Sequence, residues 1–461
     1  MKVEQIYTGC LAQGAYYIVS GDEAAIIDPL RDIKPYLQRA EKDGVTIKYI
    51  LETHFHADFV SGHVDLAKAT GAKIIYGPTA NPTFNAYIAK DNEELRLGDV
   101  VFKVLHTPGH TMESSCYLLK DEIGNDYALF SGDTLFIGDV GRPDLAQKAT
   151  NLTQEELAGM LFDSLRNKII PLEDNIIVYP GHGAGSACGK NMSSETKDTL
   201  GHQKQFNYAL QPGLSKEEFV KEVTDGLLPP PSYFPFNVKL NKEGYENINA
   251  VIEHGTKPLS PDFFEVTALE TEALILDTRK PDEFVKGHIP KSINIGIDGG
   301  FAPWVGALIT DIKQPILIVC EPGREEEVIT RLARVGYDNV IGFLDGGIAA
   351  WKEEGRNLEI ISSIPANNFA GEIKSHIYPI IDVRKQTEFE KGHVANAINI
   401  PLDFINESMA EFPEGQLFYI HCAGGYRSVI ASSILSARGY HNMINVAGGY
   451  DAIKHTGVAL A

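Results

Sequence analysis

The sequence predicts a multidomain α/β chain, and three observations carry that reading. Its 461 residues are enough for about three domains at roughly 150 residues each. The first part, to about residue 250, alternates short β-rich stretches with a few helical segments. Beyond residue 255 one strand–turn–helix pattern occurs twice. ILDTRKPDEFVKGHIPKSINI (275–295) and IIDVRKQTEFEKGHVANAINI (380–400) agree at 12 of 21 positions.

In chain order, AYYIVS, AAIIDP, IKYILET, AKIIYG, VVFKVLHT, DYALFSGD and NIIVYPGH are rich in β-branched and aromatic residues and read as strands. Thr153 and Glu156 have capping-box spacing ahead of Leu157, Leu161 and Leu165, which share one helix face. Ser215 and Glu218 repeat that signal. The Pro-rich LLPPPSYFPFN (227–237) is a poor place for regular structure and is expected to close the first unit. Each copy of the duplicated pattern continues into a buried-strand run, a loop, a helix, a Gly-Tyr and a Gly-Gly. Strands alternating with helices at this spacing imply a mostly parallel sheet covered on both faces. The Asp-x-Arg and Gly-His of each copy read as scaffold hydrogen bonding. The expected domains are 1–250, 255–360 and 365–461.

Composition narrows the function. Sixty-two acidic against 41 basic side chains give a net charge of -21, which repels phosphate backbones and anionic lipid. Neither nucleic acid nor a membrane is an expected partner. MKVEQIYTG has no basic n-region followed by an apolar run, and no stretch approaches a spanning length, so a soluble cytoplasmic protein is expected. The five cysteines, Cys10, Cys116, Cys188, Cys320 and Cys422, are odd in number and never paired as CxxC. Neither a disulfide framework nor a thiolate zinc site is indicated. Cys10 and Cys116 read as strand residues and are assigned nothing.

HFHADFVSGH (54–63) places three histidines and an aspartate within ten residues and reads as half of a metal site. His110 in HTPGHT, Asp133 in FSGDT and His182 in YPGHG each follow a strand-like run with glycine beside it. Residues at strand ends can converge although far apart in sequence.

HFHADFVSGH, HTPGHT, FSGDT and YPGHG, in this order, resemble the metallo-β-lactamase superfamily, and within it the glyoxalase II and persulfide dioxygenase branch. GDVGRPDL (138–145) adds to the resemblance, because that branch carries a glycine-arginine near the substrate thiol, here Arg142. The implied fold of residues 1–250 is an αββα sandwich with the metal at one edge. In the two-zinc hydrolases of the superfamily, residues matching His54, His56 and His110 hold one metal. Residues matching Asp58, the next residue and His182 hold the other, with Asp133 bridging. Phe59 occupies that next position, so a single metal is expected. In the persulfide dioxygenases the lone iron is held by residues matching His54, His110 and Asp133. The resemblance therefore implies one Fe(II) per chain, with zinc as the alternative. His56, Asp58 and His182 are then surrounding groups or further ligands. Two histidines and a carboxylate leave positions open for O2 and a substrate sulfur.

The duplicated half is similar to tandem rhodanese domains. In FYIHCAGGYRS (418–428) a strand ends at Cys422 and a helix follows. Loop N–H groups, a helix N-terminus and Arg427 all favour thiolate over thiol. The expected cradle is Ala423, Gly424, Gly425, Tyr426, Arg427 and Ser428, around a cysteine that carries sulfur as a persulfide. In the first copy, LIVCEPGREEE, Arg324 comes one residue early and Glu325 stands where the arginine is expected. That copy reads as degenerate, because its acidic loop raises a thiol pKa and repels an anionic donor. Cys188, six residues after His182, is within reach of the iron as an acceptor or relay of sulfane sulfur, or is an ordinary loop thiol.

The resemblance implies oxidation of a low-molecular-weight thiol persulfide by O2 to sulfite and thiol, coupled to rhodanese transfer that makes or uses thiosulfate. Two rivals are a glyoxalase II-type thioester hydrolase and a non-catalytic sulfur-relay or persulfide-sensing protein. The carrier thiol and the oligomeric state, a homo-oligomer included, are left open.

Overall fold

A computed structural model describes residues 1–145, 147, 151–227 and 229–461. The chain divides into two compact units, one comprising Met1–Ile248 with Ala333–Gly336, the other Asn249–Leu332 with Tyr337–Ala461.

The first unit holds two six-stranded sheets. One comprises Lys2–Thr8 (β1), Gln13–Ser20 (β2), Glu23–Ile27 (β3), Thr46–Leu51 (β4), Lys73–Tyr76 (β5) and Tyr87–Ile88 (β6), paired in that order. The other comprises Glu94–Leu97 (β7), Val100–His106 (β8), Ser115–Lys120 (β9), Asp126–Gly132 (β10), Ile177–Pro180 (β11) and Asp198–Thr199 (β12), also in sequence order. Side chains alternate across each strand, so one face of each sheet is apolar inward. Tyr16, Ile18 and Ile27 of the first sheet pack against Phe102, Val104 and Phe130 of the second. Helices Lys34–Asp43 and His63–Thr70 cover the outer face of the first sheet. Helices Gln154–Ser164, Leu200–Phe206 and Lys216–Thr224 cover the second. The layering is helix, sheet, sheet, helix.

Both capping boxes form, at Thr153–Glu156 and Ser215–Glu218, and Leu157, Leu161 and Leu165 are buried on one face. Cys10 departs from expectation. It lies in the turn between β1 and β2 rather than in a strand, because the chain reverses over Gly9–Ala12, where the Leu11 N–H donates to the Thr8 carbonyl and the Ala12 N–H to the Gly9 carbonyl. The Pro-rich stretch also carries more structure than expected. A helix starts at Phe234 with proline in its first turn, where the missing N–H costs nothing. Leu228 of that stretch lies outside the described residues.

The second unit contains two five-stranded, wholly parallel sheets. The first is built from Pro258–Leu259 (β13), Leu274–Asp277 (β14), Ile293–Asn294 (β15), Ile316–Val319 (β16) and Val340–Leu344 (β17), in the order β13-β17-β16-β14-β15. Ser363–Pro365 (β18), Ile380–Asp382 (β19), Ile398–Asn399 (β20), Phe418–His421 (β21) and Met443–Ala447 (β22) repeat that order. The Asp-x-Arg turns are scaffold in both copies. Arg279 pairs with Asp277 and donates to the Gly287 carbonyl, and Arg384 pairs with Asp382 and donates to the Gly392 carbonyl.

Among the described residues no helix is long and apolar enough to cross a membrane.

Candidate functional site

The motif residues of the first unit all stand just beyond strand ends, His54 after β4, His110 after β8, Asp133 after β10 and His182 after β11. All four are buried. The structure brings His54, His110 and Asp133 together, with one donor atom from each within 4.8 Å of the others.

Hydrogen bonds fix how the two rings face that cluster. Thr53 Oγ1 donates to Asp28 Oδ2 at 2.8 Å, so the same oxygen accepts from His54 Nδ1 at 2.9 Å. His110 Nδ1 lies 2.8 Å from the Arg142 carbonyl, which can only accept. In both rings the proton therefore sits on Nδ1 and Nε2 keeps its lone pair. His54 Nε2 and His110 Nε2 face Asp133 Oδ2 at 3.9 and 3.5 Å. Burial, reinforced by neighbouring imidazoles, holds the His54 ring well below its ordinary pKa and neutral. Two buried lone pairs aimed at a carboxylate oxygen repel one another unless a cation lies among them. This donor set fits a metal ion.

Asp133 also meets His182, whose Nδ1 is 2.8 Å from Oδ1 and 3.1 Å from Oδ2. On its far side, His182 Nε2 approaches Asp58 Oδ2 to 2.8 Å, although the angle is poor for a hydrogen bond. Burial works against the His182 charge, but the two carboxylates overcome it and hold the imidazolium well above its ordinary range. Burial likewise opposes ionisation of Asp133, and the charged His182 outweighs it to keep the carboxylate ionised. Gly181 is required here, because a Cβ would lie 2.5 Å from Asp133 Oδ1. Cys188 joins Asp58 and His182 in a second buried group of donors within 4.8 Å. Burial and the two aspartates push its thiol well above the ordinary range.

His56 is turned away from both groups, although its ring lies 4.2 Å from that of His54. Its Nε2 lies 3.1 Å from Asp28 Oδ1 and 3.7 Å from Glu52 Oε2. The fully buried Phe59 ring packs on it with centroids 4.3 Å apart. Asp28 and Glu52 were not singled out in the sequence. Their signal was position, since each is a carboxylate at the end of an apolar strand run, in AAIIDP and IKYILET. The guanidinium of Arg142 is bound to Asp144 at 2.7 and 2.8 Å and to the Ala187 carbonyl. At the cluster itself Arg142 contributes its carbonyl, through His110.

In the second unit, β21 delivers Cys422 to a loop closed by the helix Tyr426–Ala437. Gly425, at φ 102°, takes a left-handed turn that favours glycine. Its N–H donates to Cys422 Sγ at 3.1 Å. The carbonyls of Cys422 and Ala423 are drawn the other way by the N–H groups of Tyr450 and Asp451. Ser428 donates to the Gly425 carbonyl. Gly424 is an exposed loop position. Arg427 forms a two-pronged pair with Glu388 at 2.6 and 2.8 Å, a partner that in the sequence is only one of the matching positions of the repeat. The first copy differs at the sulfur. Gly323, at the position of Gly425, donates to Glu325 Oε1 at 3.0 Å. Burial, Glu325 and Asp277 push the Cys320 thiol up to about 12.

Comparison with known proteins agrees with this architecture. The metallo-beta-lactamase superfamily pattern matches residues 8–182, and the rhodanese-like domain pattern matches 266–354 and 366–456. A probable hydroxyacylglutathione hydrolase of Schizosaccharomyces pombe is 30% identical over 208 residues, 40% of this chain and 76% of that protein. The human mitochondrial persulfide dioxygenase ETHE1 is 28% identical over 222 residues, 48% of this chain and 78% of that protein. A crystal structure of a metallo-beta-lactamase from Staphylococcus aureus aligns with a TM-score of 0.65 and 32% identity, covering 75% of this chain and 98% of that one.

Proposed function

Because the chain belongs to the metallo-beta-lactamase superfamily and carries two rhodanese-like domains, we propose that it oxidises a low-molecular-weight thiol persulfide with O2 and passes sulfane sulfur through Cys422. Residues 1–250 are assigned the oxidation, 255–360 a structural role and 365–461 the transfer.

The observation that carries this reading is the separation of the donors. His54, His110 and Asp133 form one set of two imidazoles and one carboxylate, while His56 is turned to Asp28 and Glu52. Phe59 fills the position of a second-metal ligand with a ring that cannot coordinate. Iron(II) held by the first set would supply the O2 chemistry that two-histidine, one-carboxylate sites perform. Thr53 and the Arg142 carbonyl fix the ring tautomers, as outer partners of metal-binding histidines do. His182 steadies Asp133 through Nδ1. Phe59 and Phe136, whose rings flank His182 at 6.3 Å, keep bulk water from that side.

One persulfide, one O2 and one water give one thiol, one sulfite and two protons. The Cys422 thiolate takes the terminal sulfur of a thiol persulfide and releases the thiol, and sulfite then removes that sulfur as thiosulfate and restores the Cys422 thiolate. The loop, the Gly425 N–H and the Glu388–Arg427 pair hold the charged sulfur in place. Metal analysis together with oxygen uptake tests the assignment. One iron per chain and uptake dependent on persulfide are expected. The relationship to hydroxyacylglutathione hydrolases favours a second reading, thioester hydrolysis, and two zinc ions per chain without oxygen uptake would return it.

A further inference from the structure

The turn after β15 in the first copy, Gly296-Ile297-Asp298-Gly299, meets the sulfur loops of both copies. Asp298 holds Arg324 at 2.8 Å, one residue from Glu325. Gly296 accepts a hydrogen bond from the Tyr426 hydroxyl at 2.7 Å. A Cβ on Gly299 would lie 2.4 Å from Tyr426 Cζ and 2.5 Å from Cε2, so the ring occupies the space that a side chain would take. The corresponding turn of the second copy reads Pro401-Leu402-Asp403-Phe404, with proline and phenylalanine where the first has glycines. Only the first copy's turn is cut away to admit a ring. A second tie lies one strand earlier, where the Asn294 N–H donates to Ser433 Oγ at 2.9 Å on the helix that follows the loop.

Tyr426 is adjacent to Gly425, the residue whose N–H reaches Cys422 Sγ. Fixing the Tyr426 ring therefore anchors the chain one residue beyond the Gly424–Gly425 peptide that carries this donor. We propose that the first copy acts on sulfur transfer by positioning the second copy's loop, with Tyr426 seated in the Gly296–Gly299 notch as the positioning residue. The inference rests on Cys422 being the sulfur carrier, and its test separates the two.

The test uses the full-length protein and steady-state transfer from thiosulfate to cyanide, with Tyr426→Phe and Gly299→Val. Tyr426→Phe removes only the hydroxyl, and kcat falls roughly five-fold, the factor matching one lost neutral hydrogen bond. KM for thiosulfate stays within about two-fold, since no thiosulfate contact is removed. Gly299→Val expels the ring and lowers kcat further. Hydrogen exchange at the Gly425 amide, read by mass spectrometry, speeds up in both variants. Parent-like kcat and exchange in both variants overturn the proposal, as does a loss confined to KM. If the parent itself transfers no sulfur, the carrier reading fails, and unchanged Gly425 exchange still decides against the anchor while faster exchange supports it.

Discussion

The Gly425 N–H donates to Cys422 Sγ at 3.1 Å, whereas its counterpart on Gly323 is taken by the Glu325 carboxylate at 3.0 Å. One side chain separates a cysteine with a charge-stabilising donor from one without. Glu325 stands where the second copy has Arg427, so the same position supplies a competitor for the amide in one copy and a cation in the other.

Glu325→Ala should therefore free the Gly323 amide and make Cys320 more reactive. In the parent, with the thiol pushed up to about 12, the neutral form dominates at pH 8 and the nucleophilic thiolate is scarce. Removing Glu325 lowers that value, and each unit raises the thiolate fraction about ten-fold. Iodoacetamide labelling of native protein, read peptide by peptide, checks it. Unchanged labelling of Cys320 contradicts the role given to Glu325.

Gly181→Ala should weaken metal binding without unfolding the sandwich. The added methyl would sit 2.5 Å from Asp133 Oδ1, and Asp133 cannot yield without leaving His182. His182→Gln should lower metal affinity as well, by about 10–100-fold, the usual loss when a group that orients a ligand is removed. Titration of metal-free protein with Fe(II), followed by a competing chelator, measures both. Parent-like affinity in both would remove His182 and Gly181 from the account.

Glu388→Gln should reduce transfer at Cys422 by about ten-fold, because the half-buried Arg427 loses its charged partner. Arg427 holds the Glu388 carboxyl below the usual range although burial opposes it. A depressed carboxyl stabilises the fold fully above its unfolded value of about 4.3, and this is lost as pH falls through the folded value. The parent should thus be the more stable protein near neutrality, with the difference closing in acid. Thermal unfolding of both proteins across pH checks the sign.

Much of this was legible in the sequence. Strands showed as β-branched runs, the two capping boxes marked helix starts, and the repeat announced the paired parallel sheets. The candidate metal donors showed because histidine and aspartate recur beside glycine at strand ends. The partners of those donors were hidden. Asp28 and Glu52 look like ordinary carboxylates after apolar runs, and only the folded sheets bring them beside His56. Glu388 was visible only as a matching position of the repeat, since its pairing with Arg427 spans 39 residues. The Tyr426 notch required two copies to meet, which no local pattern encodes.

The central claim is that oxidation and transfer are separate steps joined by sulfite. An oxygen electrode run beside anion chromatography on Cys422→Ser tests it most directly. With a thiol persulfide as substrate, the variant should consume O2 at the parent's rate and accumulate sulfite where the parent yields thiosulfate, while His110→Ala consumes none. Loss of oxygen uptake in Cys422→Ser as complete as in His110→Ala would contradict the account, because Cys422 would then be delivering the substrate rather than using the product.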